Sequence, residues 1–267
     1  MTSKKDWRVD IAPMVFFTLV IGVKSYYLIG YLGASQHLFE LFSNPQGSPI
    51  PGDAVAYYLT GQFSHLAYYT TALAFDALVL YSFLVRRGAK ERPRGFWENI
   101  FPLFTVFVPV LGFTLMLIPD VRAWLPNYPP WFLQKMAALT PAFPFYFNLA
   151  GLLIGLFGAA FSIWAISYLR ASFGLRAAVR ELVTTGPYRR IRHPLYFGEI
   201  IHIFGISILS ATPAGLYLFV VAVALQVVRA KIEERKFLAS VPEYADFRRN
   251  TGFLWPRLFK PQAAPVD

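Results

Sequence analysis

The chain has 267 residues, of which 56% are hydrophobic and 18% aromatic, and its formal net charge is +10. That apolar share exceeds what an ordinary soluble domain carries. The absence of cysteine excludes disulfides, thiolate metal sites and cysteine nucleophiles, and the scattered His37, His65, His193 and His202 make no metal-ligand pattern.

Several runs of about 20 apolar residues, the length that crosses a ~30 Å hydrocarbon core, define an all-α, polytopic integral membrane bundle. Span one is expected over residues 11–32, behind Lys4, Lys5 and Arg8. It is too long for a cleaved signal peptide, and no small-residue cleavage site follows it. Residues 33–61 form a loop rich in Pro and Gly with no Lys or Arg, and span two covers 62–85. A short basic loop holds Arg86, Arg87, Lys90, Arg92 and Arg94 before span three, 100–118. The segment 119–145, with Trp124, Tyr128, Trp131 and many prolines, has the composition of a membrane interface and room for a short helix over 131–139.

Span four, 146–169, carries Gly151, Gly155 and Gly158 on one face, a small-residue stripe that admits a close helix neighbour. A basic loop runs over 170–193, span five over 194–210, and a turn at Thr212-Pro213 leads into span six, which continues past the membrane to about residue 239. Spans five and six read as a helical hairpin, and 243–266 as a polar tail. Basic residues number 22 at the amino terminus, the two basic loops and the end of the chain, against 2 on the other side, Arg122 and Lys135. The positive-inside rule then places both termini of a six-span protein in the cytoplasm. This distribution also argues against nucleic acid as the reason for the charge. No sequence repeat suggests the two halves of a transporter.

Three groups of residues carry chemistry. The stretch 184–198, TTGPYRRIRHPLYFG, packs a tight turn, Arg189, Arg190 and Arg192, and a helix start into fifteen residues. His193 precedes Pro194 and is biased toward extended backbone, while Pro194 suits the first turn of a helix. Tyr196 falls at helical spacing from His193. A juxtamembrane patch for anionic lipid headgroups would also explain arginines here; the Arg-His-Pro-x-Tyr order fits a site better. The second group is Arg229, Glu233 and Glu234 at the end of span six. Arg229 and Glu233 can pair at i,i+4, and as an exposed pair would contribute only ~0.3–0.5 kcal/mol. The hairpin, however, returns them to the level of His193, where two carboxylates can bind a cation. The third group is charge inside the spans: Lys24, Asp76, Glu199 and His202. Such residues are costly in a bilayer and are buried or functional. Lys24 either snorkels to an interface or pairs; Glu199 is placed to line the site, and His202 reads as a satisfied interior histidine.

GPYRRIRHPLYFG (186–198), a hairpin, then RAKIEERKFL (229–238) resembles the isoprenylcysteine carboxyl methyltransferase and phospholipid methyltransferase superfamily over residues 147–258. The resemblance implies a cofactor, S-adenosyl-L-methionine, held by His193, Tyr196, Glu233 and Glu234 with Tyr188, Arg192, Pro194 and Gly198 of the same motifs. It implies Arg229 beside the acceptor, most simply a carboxylate on a lipid-like molecule entering from the bilayer; Glu199, five residues past Pro194, is a second catalytic candidate by its position. The division that follows is 1–145 for helices without a recognised motif, 146–260 for a methyltransferase-like core with a cytoplasmic cofactor site, and 261–267 for a tail. Two departures bear on the cofactor lid and the acceptor. The family's aromatic-Gly-x-x-Tyr-x-x-Tyr element reads Val241-Pro242-Glu243-Tyr244-Ala245-Asp246-Phe247, and the link from span four to Gly186 is short. Phospholipid N-methylation and small-thiol S-methylation are alternatives within the same chemistry. Membrane sterol and steroid reductases share a related hairpin, and Tyr196-Phe197-Gly198-Glu199-Ile200 resembles theirs; that reading implies NADPH on Arg189, Arg190, Arg192 and Lys231. A lipid-binding protein without catalysis is the non-enzyme alternative.

Overall fold

Apolar runs without internal proline favour continuous helix, and the prolines and glycines set its ends. In the computed structural model, residues 10–43, 52–86, 88–116, 144–210 and 213–257 are described. Among them the chain forms helices α1 (Ile11–Ser43), α2 (Gly52–Val85), α3 (Gly95–Asn99), α4 (Phe101–Met116), α5 (Pro144–Leu169), α6 (Pro194–Ser210), α7 (Pro213–Ser240) and α8 (Tyr244–Asn250). Among the described residues, three segments are long and apolar enough to cross a membrane, Ile11–Gly33, Leu149–Leu169 and Gly215–Ser240. Shorter apolar helices over Tyr69–Val85, Phe101–Gly112 and Pro194–Ile208 stand at the other expected spans. Leu19, Tyr26, Leu153 and Val220 point outward from the bundle, the side that faces acyl chains in a bilayer.

The expected loop over 33–61 is mostly helix, since α1 runs on to Ser43 and α2 begins at Gly52. Between Pro13 and Pro45 the sequence holds no proline, and its Leu, Gln and Glu residues are good helix formers. The interfacial segment and its short helix over 131–139 lie outside the described residues, as do the residues after 257.

Helices α5 and α6 form the closest pair in the bundle. A methyl group on Gly158 would collide with the His202 backbone, and one on Gly205 with the Gly155 backbone. The glycine stripe therefore sets the depth and angle at which α6 seats against α5. Two cations of the amino-terminal helices are paired with carboxylates. Lys24 Nζ donates to Asp76 Oδ2 at 2.7 Å, joining α1 to α2, so Lys24 does not snorkel. Arg86 Nε donates to Asp10 Oδ2 at 2.7 Å at the end of the same helix pair.

Beneath the site lies a core of Phe17, Val79, Phe83, Ile166, Phe173, Leu175, Leu195 and Ala230. It is drawn from α1, α2, α5, α6, α7 and the loop after α5.

Candidate cofactor site

The turn before α6 opens at Gly186, with φ +58 and no space for a side chain against the Tyr168 ring. Pro187 and Tyr188 are buried in a short 3-10 turn, Gly186–Arg189. The next residues run extended and pair with the end of the chain. Arg192 N donates to Gly252 O at 2.8 Å, His193 N to Phe253 O at 3.2 Å, and Gly252 N to Arg190 O at 3.0 Å. Pro194 then starts α6 and is fully buried.

The hairpin brings the end of α7 to this turn. The His193 and Tyr196 rings stack with centroids 5.4 Å apart and planes 2° from parallel. Tyr196 Oη donates to Glu233 Oε1 at 2.6 Å, and Arg229 Nε donates to the same oxygen at 3.2 Å. The Arg229 guanidinium also lies 4.9 Å from the Tyr196 ring centroid, and its Nη2 reaches the Gly174 carbonyl at 3.4 Å. Tyr188, His193, Tyr196, Arg229 and Glu233 line one cavity, whose outer wall is the loop over 172–183. Tyr188 keeps its proton: burial raises its pKa well above the ordinary 10, and the Glu233 and Glu199 charges raise it further.

The two glutamates have different surroundings. The Glu233 side chain retains 19% exposure and borders the cavity. Glu234 is 5% exposed, with Arg192 Nε at 2.5 Å, His193 Nε2 at 3.3 Å and Arg248 Nε at 3.7 Å around its carboxylate. Arg192 in turn donates to the Arg248 carbonyl at 3.0 Å and to the Thr251 carbonyl. Arg192 and Glu234 thus clasp the starts of α6 and the terminal segment to α7, and hold His193 from behind.

Four candidates do not line this cavity: Pro194 and Glu234, both buried, and two on α6 that stand apart from it. Gly198 lies in the α5–α6 contact, where a side chain would strike Ser162, so its smallness serves helix packing. Glu199 lines a second cavity deeper in the bundle with Lys24, Asp76, Ser162, His202 and Gln226. Gln226 Nε2 donates to Glu199 Oε2. His202 Nδ1 lies 2.9 Å from the Gly155 carbonyl, as expected of a satisfied interior histidine.

The basic loop after α5 carries no recognised motif, yet it builds a wall of the cavity. Phe173, Leu175, Ala177 and Val179 are buried in alternation with more exposed neighbours. That period-two pattern is visible in the sequence and marks an extended segment. The loop is fastened to the residues between α2 and α4: Lys90 N donates to Val179 O at 2.8 Å, and Ala177 N to Glu98 O at 3.0 Å. Lys236 of α7 lines the cavity, donates to Arg92 O at 2.7 Å and pairs with Glu98. On the far side Tyr244 and Phe247 complete the wall, Tyr244 packing on Phe237 at 5.2 Å. The departed lid element therefore still supplies two aromatic rings here.

Residues 145–243 match the phospholipid methyltransferase family. The matched segment holds both motifs, and that family is grouped with the isoprenylcysteine carboxyl methyltransferases among the integral membrane methyltransferases. Among curated proteins, the cobalt-zinc-cadmium resistance protein CzcN of Cupriavidus metallidurans is 38% identical over 78 residues, 29% of this chain and 36% of that protein. The nickel-cobalt-cadmium resistance protein NccN of Alcaligenes xylosoxydans xylosoxydans is 36% identical over 81 residues, 29% of this chain and 37% of that protein. The chain thus matches little more than a third of the length of these relatives.

Proposed function

We propose that this integral membrane protein transfers a methyl group from S-adenosylmethionine to an amphipathic acceptor that reaches the site from the bilayer. The observation that carries the reading is the convergence of His193, Tyr196, Arg229 and Glu233 on one cavity, with the Glu233 carboxylate partly open to it. A cofactor bearing a sulfonium and an ammonium needs a carboxylate and aromatic faces, and these residues supply both. The Tyr188 hydroxyl and Arg180 Nε, both buried there without a hydrogen-bond partner among the described residues, offer further contacts.

When bound, S-adenosylmethionine supplies an activated methyl group for a single displacement. Glu233, fixed by Tyr196 and Arg229, holds the cationic part of the cofactor. The 172–183 loop and the rings of Tyr244 and Phe247 exclude water, so that alignment does most of the catalytic work. Glu234, Arg192 and Pro194 act by position, setting His193 and the start of α6. Residues 146–260 are the catalytic core and 1–145 its membrane scaffold, with the site and both termini on the cytoplasmic side as the basic residues indicate. From the relatives we carry over only the shared segment.

For the acceptor we favour a carboxylate oriented by Arg229. Its Nε is committed to Glu233, but the contact of Nη2 with Gly174 is long, which leaves the outer edge of the fork for a substrate. A carboxylate is ionised at neutral pH and needs no base. A second reading rests on Glu199, a buried carboxylate within range of the Arg229 and Glu233 charges. An amine or thiol acceptor would need such a base. Turnover rising steeply through the neutral range favours that reading; a flat profile with a large loss in Arg229→Lys favours the carboxylate.

The test of the proposal is isothermal titration of the detergent-purified protein with S-adenosylmethionine and with NADPH. Binding of the first alone is the expected result. Binding of NADPH alone would turn the assignment to a reductase, and binding of neither would leave a lipid-binding protein.

A further inference from the structure

Most cations around the cofactor cavity are answered by a carboxylate. Arg229 has Glu233, Arg192 has Glu234, Lys236 has Glu98, and Arg86, behind the loop, has Asp10. Positive charge is nonetheless dense on this wall. Burial, and after it the charges of Arg180 and Arg176, pull the Arg86 pKa down to about 9.

Arg180 stands out in this group. It is 8% exposed and lines the cavity, and its Nε is buried without a hydrogen-bond partner among the described residues. Glu233 acts on it only through space, countering the burial that brings the guanidinium to about 10, so it remains a cation at neutral pH. It has little freedom to leave. Val179, its neighbour, is held by backbone bonds to Lys90 and Glu91, and the guanidinium packs against Gly174, where any side chain would crowd Nη1. A buried guanidinium with an open donor at a cavity wall is costly unless an anion completes it.

S-adenosylmethionine carries one anionic group, its α-carboxylate, beside two cationic ones. Glu233 suits the cations; the carboxylate needs a forked donor, and the Arg192 fork is already closed on Glu234 and two carbonyls. We propose that Arg180 binds the α-carboxylate of the cofactor, so that Arg180 and Glu233 together select a zwitterionic methionyl group. The inference rests on the methyltransferase reading and goes beyond it by assigning a residue outside both sequence motifs. The same chemistry could meet an anionic acceptor, and the choice of probe separates the two.

The experiment is calorimetric titration of the full chain in detergent, as wild type, Arg180→Gln and Arg180→Lys, with S-adenosylmethionine and its decarboxylated analogue. Wild type is expected to bind the analogue about 10–100-fold more weakly, the range of a lost charge-assisted hydrogen bond. Arg180→Gln should lose a similar factor for S-adenosylmethionine and almost nothing for the analogue, with Arg180→Lys between. Equal losses for both ligands, or no loss for either, would overturn the assignment. So would unchanged cofactor affinity with a raised KM for the acceptor, which would give Arg180 to an anionic acceptor instead. If Arg180→Gln lacks a cooperative thermal transition, Arg180→Lys decides by the same comparison. A wild type that binds neither ligand overturns the methyltransferase reading itself, and is distinguished by needing no variant.

Discussion

The amino-terminal helices and the carboxy-terminal helices both bury charge, and they use it differently. In residues 10–116, Lys24 closes on Asp76 and Arg86 on Asp10. In residues 144–257, Glu233, Arg229 and Arg180 leave part of their bonding capacity facing a cavity. The first region reaches the site mainly through backbone, where Lys90, Glu91 and Glu98 carry the 172–183 loop. The difference separates charge that joins helices from charge left open to a cavity. It also explains why one half has recognisable motifs: a residue facing a ligand is restricted in type, whereas a backbone bond can be made by almost any residue.

The largest effect that would test this comparison is in the first region. Lys24→Met leaves Asp76 buried and unpaired, and should lower stability by about 3–5 kcal/mol. Adding Asp76→Leu should restore most of it, as read by thermal unfolding in detergent. Glu234→Ala should cost about as much, but removing Arg192 as well should not restore it, because Arg192 also holds two carbonyls. Recovery in that second pair would show the clasp to be as self-contained as Lys24–Asp76, and the contrast would fail.

Glu233→Gln comes next. Cofactor affinity should fall by about 1.5–3 kcal/mol with a smaller change in unfolding temperature; titration calorimetry beside a melting curve reads both. If the melting curve moves and the affinity does not, Glu233 belongs with the structural charges. Gly205→Ala forces a methyl into the Gly155 backbone and should cost about 1–3 kcal/mol while also weakening cofactor binding, since α6 carries Tyr196.

The smallest effect concerns residues 90–98, which hold the 172–183 loop. Burial raises the Glu98 pKa, but hydrogen bonds from Lys236 and the Arg94 N–H outweigh it, leaving the value below the ordinary 4.5. A lowered carboxylate pKa stabilises the fold above the unfolded value, and that stabilisation is lost as pH falls through the folded one. The difference in melting temperature between wild type and Glu98→Gln should therefore be present at neutral pH and shrink on acidification below 4.5. A difference that persists in acid would mean that the attachment of residues 90–98 to α7 does not depend on the Lys236–Glu98 pair.

Much of this architecture is a local property of the sequence. Apolar runs, the Gly186-Pro187 turn, Pro194 at a helix start and the glycine stripe on α5 depend on neighbours within a few residues, so their outcome could be read without coordinates. The i,i+4 pairing of Arg229 with Glu233 is local in the same sense. Other features depended on contacts between distant segments. Adjacent glutamates point about 100° apart on a helix, and only the positions of α6 and α8 decided that Glu233 opens to the cavity while Glu234 is enclosed. Gly198 ends the motif and Glu199 follows it directly, yet α5 takes one and the inner cavity the other. Arg180 carried no motif at all; its burial beside Glu233 exists because residues 90–98, far away in the chain, hold its loop in place.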